Sequence, residues 1–309
     1  MSQEFPLSRV LDTNLENEVY EIFSRMSKEN RTGFTETKPE TKQNLTNFIG
    51  LIIVENTTIH RLGRISNYFQ EHVKIDAKRF DTELTPYEYW ESNPDISKEE
   101  IMQKSKPCTN FCGTIMRCLI KIYKSKDILD FSSGWGDRLF AAMTDDNKIK
   151  SYIGIDPNKK LHTGYRKMIK MLLPKSSHHK YLMINGTAED SIQSLNKSAT
   201  FDLVFTSPPY FDIEKYGDDD MQSIKRYPKF EDWYNKFLLK SIFDSVDRLR
   251  PDGILALNIN NTKQHNIIDR LISDMRRQYF MIFRGIIYYG NPNCPTYIYQ
   301  PILVWQKIV

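Results

Sequence analysis

Three observations in the 309-residue sequence predict an α/β fold with a largely parallel sheet and helices on both faces. From Pro107 onward, short apolar runs alternate with segments whose apolar residues recur at helical spacing. Such alternation implies crossover connections, and therefore parallel pairing. The Gly, Asp and Pro-Pro punctuation falls at the carboxyl ends of the runs, where open parallel sheets hold their ligands.

Residues 1–104 contain no repeat and no low-complexity tract. Leu15, Val19, Ile22, Phe23 and Met26 share a helix face, Leu45–Val54 is a more apolar stretch, and Ile65–Val73 reads as a further helix. Thr82–Pro94, with Pro86, Tyr87, Tyr89 and Trp90, reads as irregular and aromatic-rich. Ser97-Lys98-Glu99-Glu100 opens a short helix as a capping box. Two domains are expected: a mainly helical one over 1–104 and a sheet-bearing one over 105–309.

In the second part, Thr114–Tyr123 is amphipathic and leads into the strand Ile128-Leu129-Asp130-Phe131. A turn with Gly134 and Gly136 opens a helix through Met143. Tyr152–Asp156 is a strand ending in an acid, followed by a basic helix over Asn158–Leu173. Tyr181–Ile184 is a third strand, and Phe201–Phe205 a fourth, stopped by Pro208 and Pro209. Phe230, Trp233, Phe237, Ile242, Val246 and Leu249 keep close to a 3.6-residue period over Phe230–Leu249. Arg250-Pro251-Asp252-Gly253 reads as a turn into a fifth strand, Ile254–Ile259. A helix over Ile267–Arg277 and strands near Tyr279–Tyr289 and Ile298–Lys307 complete the pattern.

Composition bounds the class. With 40% hydrophobic and 27% charged residues the chain reads as globular, and no apolar run approaches the ~20 residues of a membrane span. The polar start Met1-Ser2-Gln3-Glu4 does not read as a signal peptide. Cys108, Cys112, Cys118 and Cys294 suit a reduced, cytoplasmic protein. Cys108 and Cys112 lack a second ligand pair, so they read as buried thiols, and Asp218-Asp219-Asp220 as a solvated loop; no metal is expected. The net charge of +4 hides an asymmetry: residues 1–104 carry 13 Lys and Arg against 18 Asp and Glu, residues 105–309 carry 30 against 21. The basic part is the one with the punctuated strand ends, which suits a polyanionic partner.

The strand ends specify chemistry. Gly134 and Gly136 let backbone approach a ligand, and Asp156 suits the hydroxyls of a ribose. The dinucleotide fingerprint is incomplete, because Leu139 stands where its third glycine belongs. That favours S-adenosylmethionine over a nicotinamide cofactor. Thr206-Ser207-Pro208-Pro209-Tyr210 suits an exocyclic base amine, whose lone pair is delocalised into the ring. Ser207 offers an oxygen and Pro208 a carbonyl to grip its N–H bonds, on a backbone stiffened by two rings. Tyr210 offers a face on which the base can stack.

These motifs together resemble the amino-methyltransferases that modify adenine or cytosine amines in nucleic acids, especially the phage, plasmid and giant-virus type with a Gly-Trp-Gly first motif. The likeness runs from about Asn110 to the C-terminus and includes Thr109-Asn110-Phe111, Asp130–Leu139, Ile155–Asn158, Thr206–Tyr210, Phe211–Tyr216, Gln222–Ser223, Arg226–Pro228 and Pro301–Trp305. It implies a Rossmann-like class I methyltransferase fold with a mostly parallel seven-stranded sheet. By resemblance, Asp130, Ser132, Gly134 and Gly136 line the methionine part of the cofactor and Asp156 holds its ribose. Thr187 and Glu189 lie near its adenine, and Asn110 and Phe111 form an N-terminal cofactor segment. Ser207, Pro208, Pro209 and Tyr210 handle the amine, with Phe211, Glu214 and Tyr216 on the substrate side. Ser132 departs from a common Phe, and Ser207 from the commoner Asp or Asn. Serine at the second place is loosely associated with cytosine N4 chemistry, which is slightly favoured over adenine N6. The expected partner is nucleic acid, DNA ahead of RNA, with a partner subunit or homodimer allowed and no membrane. A non-catalytic nucleic-acid-binding subunit is the rival from another class; retention of Gly134, Gly136 and Asp156 argues against it.

Overall fold

The computed structural model describes residues 13–29, 32–54, 65–66, 68–70, 73–74, 76–79, 84–93, 100, 104, 108, 110–217, 219–293 and 298–309. Thr109, Asp218, Cys294 and the Ser97–Glu99 turn lie outside them, as do parts of the expected 65–73 and 82–94 segments.

The strands, in chain order, are β1 (Phe34–Thr35), β2 (Phe48–Ile53), β3 (Lys78–Arg79), β4 (Asp127–Asp130), β5 (Ser151–Asp156), β6 (Tyr181–Asn185), β7 (Phe201–Thr206), β8 (Glu214–Lys215), β9 (Leu249–Asn258), β10 (Met281–Gly290) and β11 (Gln300–Lys307). Nine of them form one sheet in the order β1-β2-β10-β11-β9-β7-β4-β5-β6, while β3 and β8 pair separately. All strands of the large sheet run the same way except β11 and β1. This is the Rossmann-like α/β class predicted, with nine strands in place of seven. The apolar stretch Leu45–Val54 supplies β2, which pairs in parallel with β10.

Alternation along the strands feeds two cores. Ile128, Leu203 and Val304 point to one face, where they join Val19, Ile22 and Met26 of the helix Thr13–Lys28 and Ile115 and Leu119 of the helix Gly113–Tyr123. Their neighbours Leu129, Val204 and Leu303 point to the other, where Trp233, Ile242 and Leu271 cover them. A sheet buried on both faces explains why its central strands read as continuous apolar runs.

Several boundaries differ from expectation. Pro86–Ser92 is a helix and not irregular chain. Thr85 Oγ1 accepts from Glu88 N at 3.1 Å, Glu88 returns the bond to Thr85 N at 2.7 Å, and Pro86 sits at the first turn. The basic helix starts at Leu161, three residues late, because side-chain turns hold its approach. Asp156 Oδ1 accepts from Asn158 N at 2.9 Å, and Asn158 Oδ1 from Lys160 N at 3.1 Å. The Arg250–Gly253 turn lies inside β9 and not before it. Phe201 pairs with Leu249 and Leu203 with Ile254, so the turn, with Asp252 at φ 63°, bulges from a strand that has already begun pairing. The long helix after Phe230 passes through a π-helical segment, Trp233–Leu239, before Lys240–Asp247.

Candidate active site

A cavity of about 550 Å³ opens at the carboxyl ends of β4, β5, β6, β7 and β9. Its volume suits a nucleotide-sized ligand. Asn110, Phe111, Ser132, Gly134, Asp156, Thr187, Glu189, Ser207, Pro208, Pro209, Tyr210, Glu214 and Tyr216 all line it. Residues separated by as much as a hundred positions therefore meet in one place, as the strand-end argument requires.

The turn after β4 is built around Gly134, whose φ of 58° is left-handed. A side chain there would meet only the Ser132 carbonyl, at 3.9 Å, so the backbone faces open space. The Gly134 amide donates to Asp156 Oδ2 at 2.9 Å. Burial pushes the Asp156 carboxyl up to about 7, against the pull of the Asn158 and Gly134 amides. Beside it, burial pushes Asp137 up to about 6, although Lys74, Ser66 and Arg138 pull the other way. Lys74 donates to Asn110 and Asn110 to Ser66, which fixes the residues just before the helix Gly113–Tyr123.

Three expected residues lie outside the cavity wall. Asp130 is fully buried beneath it, accepting from Arg138 Nε, Tyr152 OH and Thr206 Oγ1, each at 2.8 Å. A lone carboxylate in the core must be compensated this way, so Asp130 knits β4, β5 and β7 together. Gly136, with φ 91°, caps the helix Asp137–Met143 and faces Tyr165 and Met168. Phe211 turns away at φ 58° and packs among Phe230, Trp233 and His265, with centroids 5.4, 5.5 and 5.8 Å away.

Across the cavity, Ser207 Oγ donates to Asn258 Oδ1 at 3.1 Å, and Tyr210 OH donates to the same oxygen at 3.0 Å. Burial pushes the Tyr210 phenol up to about 12. Glu214 accepts from Tyr216 OH, and the Tyr216 ring meets Trp135 edge-on at 5.9 Å. Arg226 holds two of the lining residues in place: its Nη1 donates to Glu189 at 2.6 Å, Thr187 at 2.7 Å and also to Asp190 at 2.8 Å. It holds the 211–229 segment to the turn after β6.

Sequence reasoning assigned no role to Asn258, Arg226 or Asp137. The first was within reach, because Asn258-Ile259-Asn260-Asn261 is polar punctuation at a strand end. Of the basic residues in the expected Asn158–Leu173 helix, Lys160 pairs with Asp76 at 2.8 Å and Lys167 lies 4.2 Å over the Tyr68 ring. Among the described residues no group of three His, Cys, Asp or Glu is placed to hold a metal ion, and no helix is long and apolar enough to cross a membrane.

No protein-family model matches the chain, and no curated protein matches it. Solved structures do. TrmN from Thermus thermophilus is 13% identical, covering 64% of this chain and 49% of its own, at a TM-score of 0.43. An O-methyltransferase from Bacillus cereus in complex with SAH is 12% identical over 83% of this chain and 93% of its own, at 0.45. An rRNA methylase from Streptococcus thermophilus is 12% identical over 60% and 87%, at 0.39. The chain thus spans about half the length of the TrmN structure. These are likenesses of fold at low identity.

Proposed function

We propose that the protein is an S-adenosylmethionine-dependent methyltransferase acting on the exocyclic amine of a base in nucleic acid. DNA is the favoured polymer, and cytosine N4 is slightly favoured over adenine N6. One observation carries this reading: the Gly134–Asp156 turn and the Ser207–Tyr210 turn border the same cavity. The first turn supplies open backbone and a carboxylate with lone pairs to spare for ribose hydroxyls; the second supplies acceptors for an amine.

S-adenosylmethionine, when bound, supplies an electrophilic methyl group. The chain's own residues do the rest. Ser207 Oγ and the Pro208 carbonyl accept the two N–H bonds of the amine, drawing its nitrogen toward tetrahedral geometry and freeing the lone pair. No strong base is needed, since the amine loses its extra proton to water after transfer. Stacking on Tyr210 adds ~1–3 kcal/mol of binding for a flipped or single-stranded base. Residues 1–104 and the 211–229 segment supply whatever substrate recognition there is.

The test is tritium transfer from labelled S-adenosylmethionine to single- and double-stranded DNA and to RNA, beside Pro208→Ala and Tyr210→Ala. Products are digested to nucleosides and identified by mass. A methylated deoxynucleoside made by the wild type and lost in the variants is the expected result. Label in RNA alone reassigns the polymer. Cofactor binding without transfer points to a missing partner subunit, and absence of cofactor binding overturns the reading.

A further inference from the structure

We propose that Asn258 is a positioning residue that sets the hydrogen-bond polarity of the amine site, turning Ser207 into an acceptor and taking up the hydrogen of Tyr210, and so selecting an amine over a carbonyl. The proposal rests on the amino-methyl transfer reading. Asn258 ends β9 and is 2% exposed. Its Nδ2 donates to the Pro301 carbonyl of β11 at 2.9 Å. That bond fixes the amide, because the flipped orientation would set Oδ1 against a carbonyl oxygen. Oδ1 is thereby turned toward three hydroxyls: Tyr210 at 3.0 Å, Ser207 at 3.1 Å and Tyr289 at 3.4 Å.

A hydroxyl is ambivalent, carrying one hydrogen and two lone pairs. Ser207 by itself is as ready to donate to a carbonyl as to accept from an amine. Once its hydrogen is committed to Asn258 Oδ1, only lone pairs remain for a ligand, and the same oxygen takes up the hydrogen of Tyr210. An arriving N–H then finds an acceptor. A base with oxygen in the same place, uracil for cytosine or hypoxanthine for adenine, brings lone pair against lone pair in a half-buried site, which costs desolvation with no bond in return. Asn258 touches neither amine nor cofactor in this scheme; it acts through Ser207 and Tyr210.

The experiment compares wild type, Asn258→Leu and Asn258→Asp. Oligomers carrying cytosine or uracil, or adenine or hypoxanthine, at one position are bound in the presence of S-adenosylhomocysteine, and kcat is measured on the amine forms. Asn258→Leu is expected to lower kcat roughly 10- to 100-fold and to flatten the amine-over-carbonyl binding ratio, with cofactor affinity within about twofold of wild type. Asn258→Asp keeps an oxygen facing both hydroxyls but sets its other oxygen against the Pro301 carbonyl, so it recovers the loss at low pH, where that oxygen is protonated and donates to the carbonyl. Ser207→Ala with Asn258→Leu costs less than the product of the single effects, because both act through one oxygen. Unchanged discrimination in Asn258→Leu, or multiplicative losses, overturns the proposal. A fluorinated tyrosine at position 210 reads the same contact without turnover. Its resonance moves in Asn258→Leu and returns toward wild type in Asn258→Asp; an unmoved resonance sinks the positioning role even where no transfer is found.

Discussion

The amide of Gly134 donates to the carboxylate of Asp156 at 2.9 Å, so the turns that end β4 and β5 are one unit. Residue 134 holds a left-handed φ of 58° at the same point, a conformation that favours glycine. Asp156, whose other oxygen accepts from Asn158 N, lines the cavity. A substitution at either residue therefore acts on the other.

Cofactor affinity is expected to depend on pH through Asp156. Burial raises its carboxyl to about 7. In the proposed reading ribose hydroxyls donate to the ionised form, so binding pulls that value down and expels a proton. Below about pH 7 the affinity falls, approaching tenfold per unit, and above it the affinity levels off. Calorimetry in buffers of different ionisation heat checks the proton release. Asp156→Asn removes the dependence and weakens binding at high pH. Asp137, raised to about 6, is the neighbouring group that could mimic this, and persistence of the slope in Asp156→Asn would implicate it.

Asp130→Ala is expected to unfold the protein more readily while leaving the cavity wall intact in composition. It would leave Arg138, 3% exposed, without its carboxylate, and would take the acceptor from Tyr152 and Thr206. Breaking a buried pair by removing one partner costs ~3–5 kcal/mol. Urea unfolding reads the loss. A loss below ~1 kcal/mol would mean that the carboxylate is not the organiser its contacts make it.

Both turns and the strand order's class were legible because they depend on local signals. A φ above zero calls for Gly134, a strand end for Asp156, a stopped strand for Pro208 and Pro209. The partners of those residues were not legible. Nothing near Asn258 in the sequence says that Ser207 lies across from it, fifty-one residues away. Asp130 carries the same strand-end signature as Asp156, yet its side chain turns down into the sheet and meets Arg138. Asp130 pairs with Gly154, two residues short of Asp156, so alternation puts both acids on one face, and it is the further reach of β5 that separates their surroundings. The π-helical segment Trp233–Leu239 was hidden for a related reason: its apolar residues still keep near a 3.6 period.

Gly164→Ala should loosen the seam between Gln70 and the helix Leu161–Leu172. A methyl group at position 164 would sit 2.5 Å from the Gln70 amide, which donates to the Leu161 carbonyl at 3.0 Å and is fully buried. Overpacking of this kind costs ~1–3 kcal/mol. Because Lys74 and Ser66 flank Gln70 in the chain and hold Asn110, cofactor affinity should fall with stability. Adding Gln70→Ala to the variant makes room and should restore stability. Failure to restore it would place the strain elsewhere.

Arg226→Ala should destabilise the protein more at high pH than at low pH. Glu189 is 3% exposed and its carboxyl is raised by burial, with Arg226 pulling against that rise. Without the guanidinium the carboxyl rises further. A carboxyl whose folded value exceeds its unfolded one binds its proton more tightly in the folded state, so stability falls as pH climbs from the unfolded value, ~4.3, through the folded one. The variant should lose ~1–3 kcal/mol at pH 8 and markedly less at pH 5, the range being set below that of a sealed pair because Arg226 is partly exposed. Adding Glu189→Gln removes the stranded charge, which should recover stability at pH 8 and flatten the profile. Chemical unfolding of the three proteins at both pH values reads the coupling directly. Equal losses at pH 5 and pH 8 would mean that Glu189 keeps its charge by other means, and that Arg226 acts only by tethering the 211–229 segment to Thr187 and Asp190.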